Sequence, residues 1–410
     1  MDIIGDLQIH SKYARATSKD ISFENLEKYA RIKGIGLLGC ADFQHPKWNK
    51  EIKENLKEDE NGILWSKNKF PFLWQTEISL MYSDNGRRAV HLLVFSPNKE
   101  ISDQIIDVLG KRGRLDYDGR PIFGIPSVEF VEMMKEINDK VEVIPAHCMT
   151  SFFGVFGSKS GFDSLKECFK DKTNKIYAVE SGMSADPQML WRLKENVNIV
   201  SFSDAHSFWP YRIGREATIF DLKELTYDNV IKAIRIGEGL KGTVEVFPEY
   251  GKYHIDGHRN CGFSCDYIES KKLNKICPKC GKEMTIGVEY RIEELAKEKK
   301  GFKPNNTKEI IEVIPLQEVI ASVLDAKQLN SKKVLEIYNK LIKEFKNEFN
   351  ILLNTSYDDL IKIVHEKIAK VIIKNREGRL NIKPGFDGVY GQIILDKEEK
   401  IKEQKSLGEF

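Results

Sequence analysis

Through the first 247 residues, short apolar runs recur between stretches in which apolar positions return every three or four residues. The runs are "GIGLLGCAD" (34–42), "FPFLWQTEISLMY" (70–82), "AVHLLVF" (89–95), "VEVIPAH" (141–147), "KIYAVESG" (175–182) and "NIVSFSDAH" (198–206). Each has the length and bounding signals of strand. Between them, "SFENLEKYARIKG" reads as a helix with Ser22 as N-cap and Gly34 just past its end, and "SVEFVEMMKEIN" as another. Strands alternating with helices predict an α/β fold, either a mainly parallel sheet or a barrel. From Lys252 to Arg291 the texture changes to short loops, glycines and cysteines, and "GFKPNNTK" reads as a linker. Amphipathic helices follow over 316–324, 331–345 and 357–374. Then comes a hairpin-like "RLNIKPGFDGVYGQIIL", with turn signals at Pro384-Gly385 and Asp387-Gly388. The last segment, "DKEEKIKEQKSLGEF", is mixed in charge and is expected to fray. The expected division is 1–247, 248–300 and 301–410.

The polar residues closing these runs change the picture. Asp42, Glu77, His147, Glu180, Asp204 and His206 all stand at or near the ends of apolar runs. The opening stretch "GDLQIHSKYARATSK" presents Asp6, Gln8 and His10 at alternate positions, which puts them on one face of a strand. At the C-terminal strand ends of an α/β barrel, such residues gather on one rim. A single strand-end histidine is ordinarily structural, and an aspartate before a loop is ordinarily a cap. Here His10, His45, His91, His147 and His206, with Asp6, Asp42, Asp204, Glu77 and Glu180, follow one another at successive run ends. That accumulation favours a site for divalent metal, which takes carboxylates and imidazoles.

Composition sets the surroundings. The 410 residues are 41% hydrophobic and 31% charged, enough for a real core and a soluble surface. A formal net charge of +2 argues neither for nor against nucleic acid. No signal-peptide pattern opens the chain and no apolar run reaches the ~18 residues of a membrane span. A cytoplasmic protein with no membrane partner is expected.

Of seven cysteines, four lie together: Cys261 and Cys265 as C-x3-C, Cys277 and Cys280 as C-x2-C. Four thiolates at that spacing predict one structural zinc, with His258, three residues before Cys261, as the substitute should Cys265 not bind. From Lys252 to Lys300 eleven basic residues face eight acidic ones, which suits a DNA-facing surface or a merely solvated one.

The segments "GDLQIHSKYARATSKD", "ADFQHPKW", "TEISL", "VHLLVF", "IPAHCMTSFFGVFGSKSGFDS", "VESGMSADP", "SFSDAHSFWPYRIGREA", "GKYHIDGHRNCG", "CPKCGKEMTIGVEYRIEELA" and "KPGFDGVYG" resemble the endonuclease Q branch of the polymerase-and-histidinol-phosphatase (PHP) superfamily, over essentially the whole chain. The resemblance implies a distorted (β/α)7 PHP catalytic barrel over 1–247, a zinc-ribbon module over 248–300 and a mainly helical domain over 301–410. It also implies a repair endonuclease cutting duplex or single-stranded DNA 5′ to a deaminated base such as uracil or hypoxanthine. Up to three active-site metals (Mg, Mn or Zn) are implied. The superfamily's H-x-H motif falls on Gln8 and His10, its second motif on Asp42 and His45, and its third on Glu77. His91 and His147 follow singly, then Asp204 with His206. Gln8 departs from the pattern: a neutral amide oxygen replaces an imidazole, so one metal position is expected to be weakened or emptied.

With that resemblance, Asp204, His147 and His206 are the expected catalytic residues, Asp204 orienting or deprotonating a water. Phe152, Phe153 and Phe156, with Ser151, offer a pocket for an extruded base. Glu180 is expected in the pocket or just behind it, and Arg215 as a phosphate clamp. A sliding clamp is a candidate partner, although no tail motif points to one. Two other readings stay open: a PHP-type small-molecule phosphoesterase, and a DNA-binding protein catalytically silenced by Gln8.

Overall fold

The computed structural model describes residues 1–401. The first expected helix forms over Phe23–Lys33, where the Ser22 hydroxyl accepts the Asn25 N–H and Gly34 ends the helix at φ 101°. The second forms over Ser127–Ile137. The long apolar run at 70–82 divides at Trp74 into strands Pro71–Leu73 and Gln75–Ser83.

Three sheets assemble from these strands. The largest has eight strands in the order Glu309–Glu312, Leu240–Glu245, Ala217–Asp221, Asp2–Asp6, Leu37–Gly39, Pro71–Leu73, Leu64–Ser66 and Leu56–Glu58. The second carries Ile122–Phe123, Gln75–Ser83, Arg87–Phe95 and Glu142–Pro145, and the third pairs Ala178–Glu180 with Asn198–Val200. The expected barrel is corrected here: among the described residues the ladders do not join into a closed one. Gln75–Ser83 and Arg87–Phe95 form an antiparallel hairpin, and Ala217–Asp221 runs antiparallel to Asp2–Asp6, so the simple parallel winding is broken. Between sheets the described residues make isolated bonds and bridges, such as Cys148 N–H to the Glu180 carbonyl at 2.8 Å and the Ile9–Ala205 bridge. All three sheets nonetheless face one apolar core, with Leu37 and Leu73 from the first, Leu93 and Ile144 from the second, Ala178 and Val200 from the third.

Between 248 and 300 a short ribbon pairs Asp256–His258 with Phe263–Cys265, over a small core of Cys265, Cys277 and Met284. The C-terminal helices are Leu316–Val323, Lys332–Phe345, Glu348–Leu353, Tyr357–Ile363 and Glu366–Arg376. The single helix expected over 357–374 breaks because Val364 turns extended and His365 caps a new helix by accepting the Lys367 N–H. A buried ion pair joins these helices to the first unit: Lys33 Nζ lies 2.6 Å from Glu348. The hairpin Asn381–Lys383 with Gln392–Ile394 follows, and its loop folds back over residues 249–255. The fraying expected of "DKEEKIKEQKSLGEF" falls largely on residues 402–410, outside the described residues. No helix among the described residues is long and apolar enough to cross a membrane.

Candidate metal centre

The first and last motifs meet through backbone. Ile9 and Ala205 form a parallel bridge, in which His10 N–H donates to the Ala205 carbonyl at 3.0 Å and Ala205 N–H donates to the Gln8 carbonyl at 3.3 Å. The alternation of an extended chain then brings His10, Asp204 and His206 together, with Gln8 alongside. Glu77 and His91 come from the two strands of the antiparallel hairpin, and His147 from the end of Glu142–Pro145. Asp42 (φ 22°), His147 (φ 31°) and Asp204 (φ 48°) all hold left-handed backbone, a costly conformation for residues with a Cβ and one that concentrates at functional sites.

Two groups of ligand-type atoms result, each gathered within 4.8 Å: His10 with Asp204 and His206, and Glu77 with His91 and His147. Glu77 links them, its Oε2 standing 3.1 Å from His10 Nε2 and its Oε1 2.6 Å from His91 Nδ1. Burial opposes the charge on Glu77, but Arg120, His91, His10 and His147 hold its carboxyl well below the usual range. The same contest leaves Asp204 ionised, with His206 and His10 prevailing over burial. Burial, aided by Arg120, pushes His91 down to about 3, which keeps a ring nitrogen free to act as a ligand.

The residues suit divalent metal. Three carboxylates, Asp42, Glu77 and Asp204, crowd His10 within 3.1 Å, an excess of negative charge that a dication would neutralise. Gln8 donates its amide N–H to Glu77 at 2.8 Å, while its buried Oε1 has no partner. A buried carbonyl oxygen without a donor is costly unless something such as a cation takes it. His147 Nδ1 is likewise buried and unpaired.

Other expected ligands lie apart from these groups. Asp6 accepts N–H bonds from Ser203 at 2.9 Å and Gly214 at 2.8 Å, and its burial lifts it to about 6. It fastens the Asp204 loop. Asp42 backs His10 through Nδ1 at 3.0 Å and accepts the Ser11 N–H at 2.7 Å. His45 stacks on Tyr13, its ring centroid 4.6 Å away, and its Nε2 faces the Asp116 carbonyl at 3.2 Å.

A cavity of about 210 Å³ opens beside the two groups, lined by His91, His147, Phe152, Glu180, Asp204 and Arg215 among others. Phe152 is 42% exposed at its edge. Of the residues expected with it, Phe156 and Ser151 are corrected. Phe156 is 1% exposed in the core, and the buried Ser151 hydroxyl is spent on the Ile286 carbonyl, so neither can meet a base. Phe153 instead stacks on His91 at 4.2 Å and braces it. Glu180 accepts the His147 N–H, and burial lifts its carboxyl to about 7. Arg215 is 7% exposed and donates twice to the Ser203 carbonyl. Arg120, whose Nη1 is 3.3 Å from Glu77, lacks any sequence signal: it sits in the turn "YDGRP" with nothing to mark its direction.

In the cysteine module, His258, Cys261, Cys277 and Cys280 bring one ligand atom each within 4.8 Å of one another. His258 Nδ1 is 3.2 Å from Cys261 Sγ and 3.3 Å from Cys280 Sγ. Cys265 is corrected out of the set. It pairs with Asp256, two rungs along the ribbon from the His258–Phe263 pair, and burial pushes its thiol up to about 12.

Residues 315–379 match the family described as the MJ0043 C-terminal domain. The crystal structure of the lesion-specific endonuclease PfuEndoQ from Pyrococcus furiosus is 30% identical, covering 99% of this chain and 98% of that one, at a TM-score of 0.85. A structure of endonuclease Q with a 27-mer duplex substrate carrying an abasic lesion at the active site is also 30% identical, covering 99% of this chain and 100% of that one, at 0.88. The uncharacterized protein MJ0043 of Methanocaldococcus jannaschii is 33% identical over 375 residues, 87% of this chain and 44% of its own. The chain therefore spans less than half the length of that relative.

Proposed function

The chain belongs to the endonuclease Q family, and from that premise we propose that it is a metal-dependent DNA repair endonuclease. Its substrate is duplex DNA, cut at the phosphodiester 5′ to a deaminated base (uracil, hypoxanthine, xanthine) or an abasic site, leaving 3′-hydroxyl and 5′-phosphate ends. The observation that carries the reading is the placement of two ligand groups, linked by Glu77, against one wall of a cavity.

His10, Asp204 and His206 would hold one ion, and Glu77, His91 and His147 another, while the buried Gln8 carbonyl oxygen, on an amide bonded to Glu77, has no partner. Mg²⁺, Mn²⁺ or Zn²⁺ there supplies charge neutralisation at the phosphate and a lowered pKa for a bound water. Asp204 is the ligand-type carboxylate with 32% of its side chain open to solvent, and it orients or deprotonates the attacking water. His206 offers a ring nitrogen to the first group and His147 one to the second. Arg215 sits within reach of a phosphate that enters the cavity, and Phe152 at the rim offers a stacking face to an extruded base. Glu180 lines the interior, where a carboxyl titrating at about 7 can donate or accept at a base edge. A second metal, zinc, held by His258, Cys261, Cys277 and Cys280 keeps the small module folded.

The test is direct. The protein is incubated with Mg²⁺ or Mn²⁺ and end-labelled duplexes carrying one uracil, one hypoxanthine, one abasic site or no lesion. A nick on the 5′ side of the lesion only is the expected result. Equal cutting of the unmodified duplex, or release of phosphate from small esters without nicking, refutes it.

A further inference from the structure

Three cations stand around one tyrosine at the mouth of the cavity. Tyr390 reaches it from the loop of the C-terminal hairpin, which is stitched down by Gly385 N–H to the Glu249 carbonyl, Gly388 N–H to that of Lys252 and Gly391 N–H to that of Tyr250, at 2.8, 3.0 and 3.0 Å. At Gly385 and Gly391 an added Cβ would come within 2.2 and 2.3 Å of backbone oxygens, so the close approach requires glycine.

Arg215 donates through Nη1 to the Tyr390 hydroxyl at 3.3 Å. The Arg212 guanidinium lies 5.1 Å from the Tyr390 ring centroid and Lys252 Nζ lies 5.0 Å from it. Among the described residues none of the three forms an ion pair with a carboxylate. The field of Glu318 reaches Arg212 and Arg215, but its carboxylate takes the Tyr250 hydroxyl. Burial raises the Tyr390 phenol, yet Arg215, Arg212 and Lys252 together bring it down to about 8. Glu216 and Asp204 also act on Arg215 through space, but neither carboxylate bonds to it, and with Arg212 and Lys252 beside it the three cations repel one another and leave room for an anion. Arg215 and Lys252 also line the cavity that holds His147 and Asp204, so the anion must enter beside the reacting groups.

We infer that Arg212, Arg215, Lys252 and Tyr390 form a second phosphate subsite, which grips a backbone phosphate flanking the scissile one. The ligand class is a phosphodiester of the cleaved strand, and the C-terminal hairpin is part of the DNA-binding mouth. The inference rests on the endonuclease reading, and the two fail differently.

Binding of the full chain to a labelled abasic duplex is measured by anisotropy across salt concentrations, without added Mg²⁺ or Mn²⁺, for wild type, Arg212→Ala, Lys252→Ala and Tyr390→Phe. Each alanine variant is expected to lower the slope of log K against log salt by about 0.9, the loss of one phosphate contact. Tyr390→Phe removes a hydroxyl but no cation, so it is expected to weaken binding at every salt concentration while keeping the wild-type slope. A neutral methylphosphonate, scanned over the phosphates flanking the lesion, is expected to weaken wild type at one position. At that position it should add nothing in Lys252→Ala. This arm on wild type does not depend on any variant folding. Unchanged slopes in both alanine variants, or a methylphosphonate penalty equal in Lys252→Ala and wild type, overturn the subsite. Strong salt-dependent binding together with no cutting of any lesion once Mg²⁺ or Mn²⁺ is supplied overturns the endonuclease reading instead.

Discussion

His10 Nε2 stands 3.0 Å from Asp204 Oδ1, across 194 residues of chain. One parallel bridge, Ile9 to Ala205, sets that distance, and alternation does the rest. The pair couples the two ends of the first unit, so changes at either should be felt in the chemistry before the fold.

Asp204→Asn keeps the shape and removes the charge. Single-turnover cleavage of a lesion duplex is expected to fall by roughly 10²–10⁴-fold, with the melting temperature preserved. A variant that cuts at the wild-type rate would remove Asp204 from the mechanism.

Gln8→His should alter metal response. It ends the 2.8 Å bond to Glu77 and offers an imidazole nitrogen where an unpaired amide oxygen now lies. Titrating Zn²⁺ and Mn²⁺ against activity should show half-maximal cleavage at lower metal than in wild type. Identical titration curves would mean that position 8 contacts no ion.

His258→Ala is expected to lose the module's zinc, read by elemental analysis, and to lower its melting temperature. Cys265→Ala should retain the metal because its sulfur is outside the four-atom group. Zinc lost only from the Cys265 variant would reverse the assignment.

Ser201 Oγ lies 3.1 Å from the Glu216 carboxyl and 2.9 Å from that of Glu245, both buried. The Ser201 hydroxyl proton can serve only one of them, and a proton on one carboxyl relieves the repulsion between the two. Burial first, then Glu180 acting on Glu216 and Glu216 on Glu245, push both well above the ordinary 4.5. A raised folded pKa means the native chain binds the extra proton. Its contribution is full below the ordinary value and is lost as pH rises through the folded pKa. Glu245→Gln should therefore flatten the decline of melting temperature as pH rises above about 5, by up to about 1.4 kcal/mol of stability per pH unit. A slope equal to wild type would contradict the shared proton.

Lys33 and Glu348 are 1% and 0% exposed in their side chains and 2.6 Å apart. Glu348 also accepts the Leu316 N–H at 3.0 Å and the Tyr338 hydroxyl at 2.8 Å. Glu348→Ala strands a buried ammonium and should cost about 3–5 kcal/mol in urea denaturation. Lys33→Met with Glu348→Leu should cost less than the single change. A double variant weaker than Glu348→Ala would show the pair to be net stabilising beyond its burial.

Local rules made the strands, the capped helix at Phe23–Lys33 and the Asp387-Gly388 turn legible, because alternation, side-chain caps and glycine conformations act within a few residues. They also marked the alternating Gln8–His10 and Asp204–His206 pairs as facing one way each. What they could not carry is direction across the fold. Phe152, Phe153 and Phe156 are near-neighbours of one type, yet one meets solvent, one braces His91 and one fills the core. Likewise spacing favoured Cys265 as the fourth zinc ligand with His258 as its substitute, and ribbon register puts His258 with the other three cysteines instead. Arg120 and Tyr390 join the site from a turn and from the far end of the chain, where no local pattern marks them. The chain's own order thus determined which elements form and which residue types stand at their ends. Tertiary packing alone decided which of those side chains share a few ångströms, since that distance depends on how separate sheets close over one core.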